Sequence, residues 1–274
     1  MDAGKPTHWD IASEGWLRCS ALYEPFEEPV NNRLIELAEI AIGYQVVDVA
    51  TGIGDPALSA AKRVGPGGRV IATDQSPAML AIAERRARDR GLDNIEFRLL
   101  DANEFDLPEE TIDAVVCRWG LMFLSNLVDA VGRMRRSLKA GRCLAAATWA
   151  DADKVPIISV RRSVMRAFDI PQGPLDPFRL ASATALSDAA TSAGFEEVAV
   201  TRSIVPYEYS SADAFASAQR TAHESRLTAL LARSETQQVE FWRAMADAAG
   251  PYTSASGVVH MPSEILLLAA RKGR

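Results

Sequence analysis

Between about residues 44 and 149 the chain alternates short apolar runs with longer stretches in which apolar positions recur at helical spacing. The runs Gln45 to Ala50, Arg69 to Asp74, Ile95 to Leu100, Ile112 to Cys117 and Arg142 to Trp149 read as strands, and the intervals between them as helices. Such alternation predicts a doubly wound α/β sheet, its parallel strands joined by right-handed crossovers and its ligand site outside their carboxyl ends. Turn residues fit these boundaries. Ser76-Pro77 starts a helix that Gly91 stops, Asp55-Pro56 has the form of an N-cap followed by proline, and Gly65-Pro66-Gly67-Gly68 is a tight turn.

Outside that region the pattern loosens. The N-terminal stretch reads as an aromatic-rich helix with Trp9, Trp16, Tyr23 and Phe26, then a second helix with Val30, Leu34, Leu37 and Ala41. Beyond Trp149 the expectations are a helix over Val155 to Phe168, a proline-rich connection and a helix over Ser187 to Ala193. A strand over Phe195 to Val205, a polar helical region from Ser211 to Ala249 and a final strand from Gly257 to Arg271, interrupted near Pro262, complete the chain. The organisation expected is a helical lid segment over residues 1–42 ahead of a ligand-binding domain over 43–274, with helical insertions at about 155–180 and 211–250 that cover the site.

Composition narrows the class. With 48% hydrophobic and 24% charged residues in 274, a sizeable core can be buried. A net charge of -6 argues against nucleic acid as a partner, since counterion release needs a basic face. Cys19, Cys117 and Cys143 lie far apart, which suggests neither a disulfide framework nor a metal site and fits a reducing cytoplasm. No export signal is read, and no apolar run approaches the roughly 20 residues of a membrane span.

The chemistry concentrates where the first strand ends. Val46 to Val49 runs into Ala50-Thr51-Gly52-Ile53-Gly54 and then opens a helix. Gly52 to Ala57 also satisfies the dinucleotide pattern GxGxxA, so an NAD-dependent oxidoreductase is an alternative. Asp48 and Asp55 flank this turn, and acids there oppose a pyrophosphate while favouring a ligand with a sulfonium, an ammonium and a ribose, such as S-adenosylmethionine. Asp74 ends the next run at the spacing from which a carboxylate reaches ribose hydroxyls, and Asp101-Ala102 places another acid at the same sheet edge, able to accept from an adenine amino group.

The run from Val46 to Trp149 resembles the class I S-adenosylmethionine-dependent methyltransferases. Asp48, Ala50, Gly52 and Gly54 match the family's acid-and-glycine motif with Ala50 in place of its first glycine, Asp74 matches the ribose acid, and Asp101 the adenine-contacting acid. Ser76-Pro77-Ala78-Met79-Leu80 resembles the helix behind the ribose acid. Arg118-Trp119-Gly120-Leu121-Met122-Phe123 and Leu138-Lys139-Ala140-Gly141-Arg142 resemble the branch containing ubiquinone and menaquinone C-methyltransferases. The resemblance implies a Rossmann-like, seven-stranded, mostly parallel sheet with an antiparallel edge near Ser263 to Lys272. It implies S-adenosylmethionine as cofactor, held among Asp48, Ala50, Thr51, Gly52, Gly54, Asp74, Gln75, Met79, Asp101, Ala102, Arg118, Trp119 and Met122. The implied activity is O-, C- or N-methylation of a small-molecule acceptor, quinones and natural products included, by a chain compatible with a homodimer.

In-line methyl transfer needs a positioned nucleophile, and a base only where the acceptor must lose a proton. The candidates are His223 in the late insertion, Tyr23 in the first helix and His8 beside Trp9, each of which packing alone would also explain. Tyr207, Glu208 and Tyr209 are comparable. A protein that binds S-adenosylmethionine without transferring its methyl is the remaining alternative.

Overall fold

The computed structural model describes residues 6–274 apart from the side chain of Arg226, so residues 1–5 of the expected lid segment lie outside the described residues. Seven strands form one sheet in the order β3-β2-β1-β4-β5-β7-β6: β1 (Gln45–Val49), β2 (Arg69–Asp74), β3 (Ile95–Leu99), β4 (Ile112–Arg118), β5 (Leu138–Trp149), β6 (Glu197–Tyr209) and β7 (Val259–Arg271). The first five pair in parallel, and β7 runs antiparallel between β5 and β6. Val46, Val47, Val115 and Val116 are fully buried at the centre, as expected of strands covered on both faces. Strand order reverses between β1 and β4, and this is where a doubly wound sheet opens a crevice for a ligand.

The helices are α1 (His8–Leu37), α2 (Ala57–Val64), α3 (Pro77–Asp89), α4 (Leu127–Ser137), α5 (Pro156–Ala167), α6 (Ala183–Ser192), α7 (Ala212–His223), α8 (Thr228–Leu231) and α9 (Glu235–Asp247). Among the described residues no helix is long and apolar enough to cross a membrane. The two N-terminal helices expected from the sequence are one helix of 30 residues, begun by a capping box between Thr7 and Asp10 and continuing through Pro25 and Pro29. An interior proline costs about 3 kcal/mol of helix propensity. Burial of Tyr23, Val30, Leu34 and Ile35 against the core offsets it.

Further boundaries differ from the sequence reading, with α6 beginning at Ala183 rather than Ser187 and β6 running on to Tyr209. The region 211–249 is divided among α7, α8 and α9. The last strand is continuous through Pro262, which faces Pro206 across the β6–β7 ladder. Opposed prolines suit a register position where neither N–H is required, and pairing with β5 has already ended at Ile265, so the ladder loses nothing there.

Candidate functional site

The turn after β1 is built around Asp48. Its Oδ2 accepts from the Thr51 hydroxyl at 2.6 Å and from the Ala57 N–H at 2.9 Å, so Asp48 both closes the turn and caps α2. The N-cap role expected of Asp55 therefore belongs to Asp48, while Asp55 forms an ion pair with Arg86 at 2.6 Å. Arg86 also donates to the Ile53 carbonyl at 2.6 Å, fixing the outside of the turn. Asp48 is fully buried and does not reach the cavity described below, whereas Asp55 reaches it already neutralised by Arg86. The acidic turn inferred from sequence thus presents little net charge to a ligand.

Burial pushes the Asp48 carboxyl up to about 7, against the hydrogen bonds from Thr51 and Ala57 that lower it. Between the ordinary aspartate range and that value the folded protein holds a proton that the unfolded chain has lost. Stability therefore falls as pH rises through this window, and the penalty is complete above it, on the order of 4 kcal/mol. Asp48→Asn keeps the acceptor and removes the ionisation. The variant is expected to unfold at a higher temperature than the parent at mildly alkaline pH but not at mildly acidic pH; parallel profiles would contradict this account.

The glycine turn divides its labour. Gly52, at φ +56°, borders the cavity, and a Cβ there would meet no atom within 4 Å. Gly54, at φ +112°, lies away from the cavity; a Cβ would crowd Leu58 and Ala83 at 3.2 and 3.3 Å, so this glycine serves the approach of α2 and α3. Ala50 borders the cavity in the left-handed region at φ +57°. Its methyl occupies the space that Gly120 leaves by having no Cβ, which would lie 2.7 Å away. Left-handed backbone costs an alanine about 1 kcal/mol relative to glycine, so Ala50→Gly should raise the thermal midpoint by roughly 2 °C, readable by calorimetry.

A cavity of about 520 Å³ runs along the carboxyl ends of the parallel strands. After β1 it is lined by Ala50, Thr51 and Gly52, at the end of β2 by Asp74 and Gln75, and after β3 by Asp101 and Ala102. Asp74 is buried and accepts from the Gly52 N–H and the Ser76 N–H, both at 2.9 Å, which ties the two loops together. Gln75 is exposed at the rim and Met79 is buried beneath it on α3. Asp101 Oδ1 accepts from the Asn103 backbone and side chain at 2.8 and 2.9 Å. Arg118 and Trp119 line the cavity at the end of β4, whereas Met122 points into the core and does not. Asp48, Gly54 and Met122 are thus the three sequence candidates for cofactor contact that the fold places elsewhere.

Helix α1 fastens across this edge of the sheet. Asp10 accepts from Ser76 and from the Ala78 N–H at the start of α3, Glu24 accepts from Arg90 at 2.9 Å, and Glu28 from Ser59 at 3.0 Å. Between these clasps Glu27 enters the cavity, accepts from the Tyr207 hydroxyl at 3.0 Å and pairs with Arg118 at 3.1 Å. Burial raises the Glu27 pKa while the Arg118 charge and the Tyr207 hydrogen bond oppose it. Arg118 also lies over the Trp119 ring at 4.6 Å, and Trp119 stacks on Trp149 with centroids 4.5 Å apart.

The cavity continues beneath α1, α5 and α7. Tyr23 and His8 on α1 and His223 on α7 all line it, so the fold brings the three catalytic candidates to one chamber. His223 meets Trp16 edge to face at 5.9 Å, and His8 meets Trp9 at 5.2 Å. Burial drives the Tyr23 hydroxyl well above its ordinary pKa, as it does that of Tyr207, so both stay protonated and act as hydrogen-bond donors rather than bases. His260, by contrast, pairs with Glu208 at 3.2 Å on exposed strand surface away from the chamber. Glu27, Trp149 and Gln219 line the cavity without having been singled out in the sequence.

The comparisons with known proteins agree with this architecture. Residues 46–141 match the methyltransferase domain family, the span that supplies the turn after β1, Asp74, Asp101 and Arg118. The ubiquinone/menaquinone biosynthesis C-methyltransferase UbiE of Pseudomonas fluorescens (strain SBW25) is 38% identical over 108 residues, covering 39% of this chain and 42% of that protein. The chain thus spans less than half the length of this relative. Phosphoethanolamine N-methyltransferase 2 of Haemonchus contortus, solved with S-adenosyl-L-methionine, superposes with a TM-score of 0.62 at 16% identity over 99% of this chain and 61% of that one. The [4+2]-cyclase SpnF superposes with a TM-score of 0.56 at 21% identity over 90% and 80% of the two chains. At such identities these two structures show a shared fold. Residues 46–141 thus resemble a methyltransferase domain, and the sheet as a whole shares the fold of the class I S-adenosylmethionine-dependent methyltransferases.

Proposed function

We propose that this chain is an S-adenosylmethionine-dependent methyltransferase acting on a small, largely apolar acceptor. The observation that carries the reading is the single cavity that joins the strand-end acids Asp74 and Asp101 to an aromatic chamber under α1, α5 and α7. The residues present fit the cofactor. Asp74 has carboxylate lone pairs left for ribose hydroxyls, Asp101 and Ala102 border the place for an adenine, and Gly52 leaves open space where a backbone must approach a ligand closely. Ala50, Thr51, Gln75, Met79, Arg118 and Trp119 complete that wall. When bound, the cofactor supplies an electrophilic methyl on a sulfonium.

The chain's own part is to bind, orient and exclude water. Trp119, Trp149 and the apolar residues of α5 hold the acceptor chamber dry, while Tyr23 donates a hydrogen bond and His223 takes up a proton where the acceptor must release one. On this reading the acceptor is a quinone-like or natural-product molecule met in the cytoplasm, no nucleic acid takes part, and the chain works as a homodimer.

Parallel calorimetric titrations with S-adenosylmethionine, S-adenosylhomocysteine and NADH test the cofactor. Saturable binding of the first two with NADH silent is expected; binding of NADH alone would move the protein to redox chemistry through its GxGxxA turn. A second reading, a binder of S-adenosylmethionine that does not transfer the methyl, is favoured by Tyr23 being held protonated and so unable to serve as a base. Release of S-adenosylhomocysteine in step with acceptor consumption would exclude it.

A further inference from the structure

Among the polar groups of the cavity with incomplete hydrogen bonding, the Gln219 amide oxygen on α7 is a buried acceptor. Gln219 on α7 is 1% exposed and lines the cavity, and its Oε1 has no hydrogen-bond partner. Leaving a buried acceptor unmade costs about 1–3 kcal/mol, so the position is held at the expense of stability unless a ligand completes it. Its setting is firm. Gly15 brings α1 against α7 so closely that a Cβ would lie 2.8 Å from the Ala222 carbonyl, and Cys19 Sγ approaches the Ala218 carbonyl at 3.6 Å. Gln219 and His223 lie one turn apart on the same buried face of α7. Ile157 and Met165 of α5 and Trp149 give the same chamber an apolar wall.

We propose that Gln219 determines acceptor specificity, its Oε1 receiving a hydrogen bond from the hydroxyl of an uncharged, otherwise apolar ring compound. This rests on the methyltransferase reading for the identity of the chamber as the acceptor site. A carboxylate or an ether in place of the hydroxyl presents only acceptors to Oε1 and leaves it unmet.

The test uses β-naphthol, its methyl ether and naphthalene as probes, titrated calorimetrically into the full chain with and without saturating S-adenosylhomocysteine. β-Naphthol is expected to bind about tenfold more tightly than either of the others, and Gln219→Leu to erase that preference. The variant should retain S-adenosylhomocysteine affinity and keep or raise the thermal midpoint, because it removes an unmet acceptor at similar volume; Gln219→Met serves as a second variant of the same kind. Equal binding of the naphthol and its ether, no binding of any probe, or a preference that survives in the variants would overturn the proposal. So would a lowered midpoint in both variants, which would assign Gln219 to the fold. Failure of S-adenosylhomocysteine to bind at all would instead remove the cofactor reading, and the titrations without it still report on Gln219.

Discussion

Asp74→Ala is expected to weaken S-adenosylmethionine binding by about 100-fold or more. Hydrogen bonds from two ribose hydroxyls to a carboxylate contribute on the order of 1.5–3 kcal/mol each, and alanine removes both. The substitution also leaves the Gly52 and Ser76 N–H groups without the oxygens that now accept them at 2.9 Å, so the glycine turn loses its tie to the start of α3. A drop of several degrees in thermal midpoint should therefore accompany the loss. Asp74→Asn separates the two effects, because its remaining oxygen still accepts from the backbone while the charge is gone. Calorimetry with S-adenosylhomocysteine reads the affinity, and undiminished binding by the alanine variant would sink the site assignment.

Arg118→Met is expected to destabilise the fold by about 3 kcal/mol. The side chains of Glu27 and Arg118 are only 12% and 10% exposed, and removing the guanidinium leaves a largely buried carboxylate with the Tyr207 hydroxyl as its one remaining partner. Burial already raises the Glu27 pKa against the opposing charge of Arg118, so without that charge the carboxyl holds its proton to still higher pH. The folded variant then binds a proton that the unfolded chain releases, and its stability falls further as pH rises above the ordinary glutamate range. Adding Glu27→Leu should recover most of the loss, since two apolar side chains replace a pair that burial penalises. Denaturant unfolding of the two single variants and the double variant measures the coupling; a single variant within measurement error of the parent would show that the pair contributes nothing.

The parallel half of the sheet was legible because buried strands and amphipathic helices have different periods, and five strand positions between 45 and 149 follow from that difference alone. Helix α1 was read as an aromatic-rich helix followed by a second, aliphatic one, and only the packing of Tyr23, Val30 and Leu34 decides for one. Asp48 shows a different limit. A motif position says that an acid is needed near the turn but not whether the side chain faces the ligand or folds back to hold Thr51 and Ala57. Gly54 and Met122 fail for the same reason, one serving helix packing and the other the core.

Glu27 and Gln219 carried a signal that went unused. Tyr23, Glu27, Val30 and Leu34 fall on one face of α1, as Phe215, Gln219 and Ala222 do on α7. A polar residue inside an apolar stripe is either satisfied in the core or turned toward a cavity, and only the three-dimensional arrangement says which. The acceptor itself depends on the shape of the chamber, to which no single stretch of sequence corresponds.

The stacked indoles of Trp119 and Trp149, 7° from parallel, both line the cavity. Rings held this close share their ultraviolet transitions, so their absorption and circular dichroism belong to the pair and change when either ring shifts. Occupancy of the cavity can therefore be followed optically through these two residues, with no label attached and no turnover required.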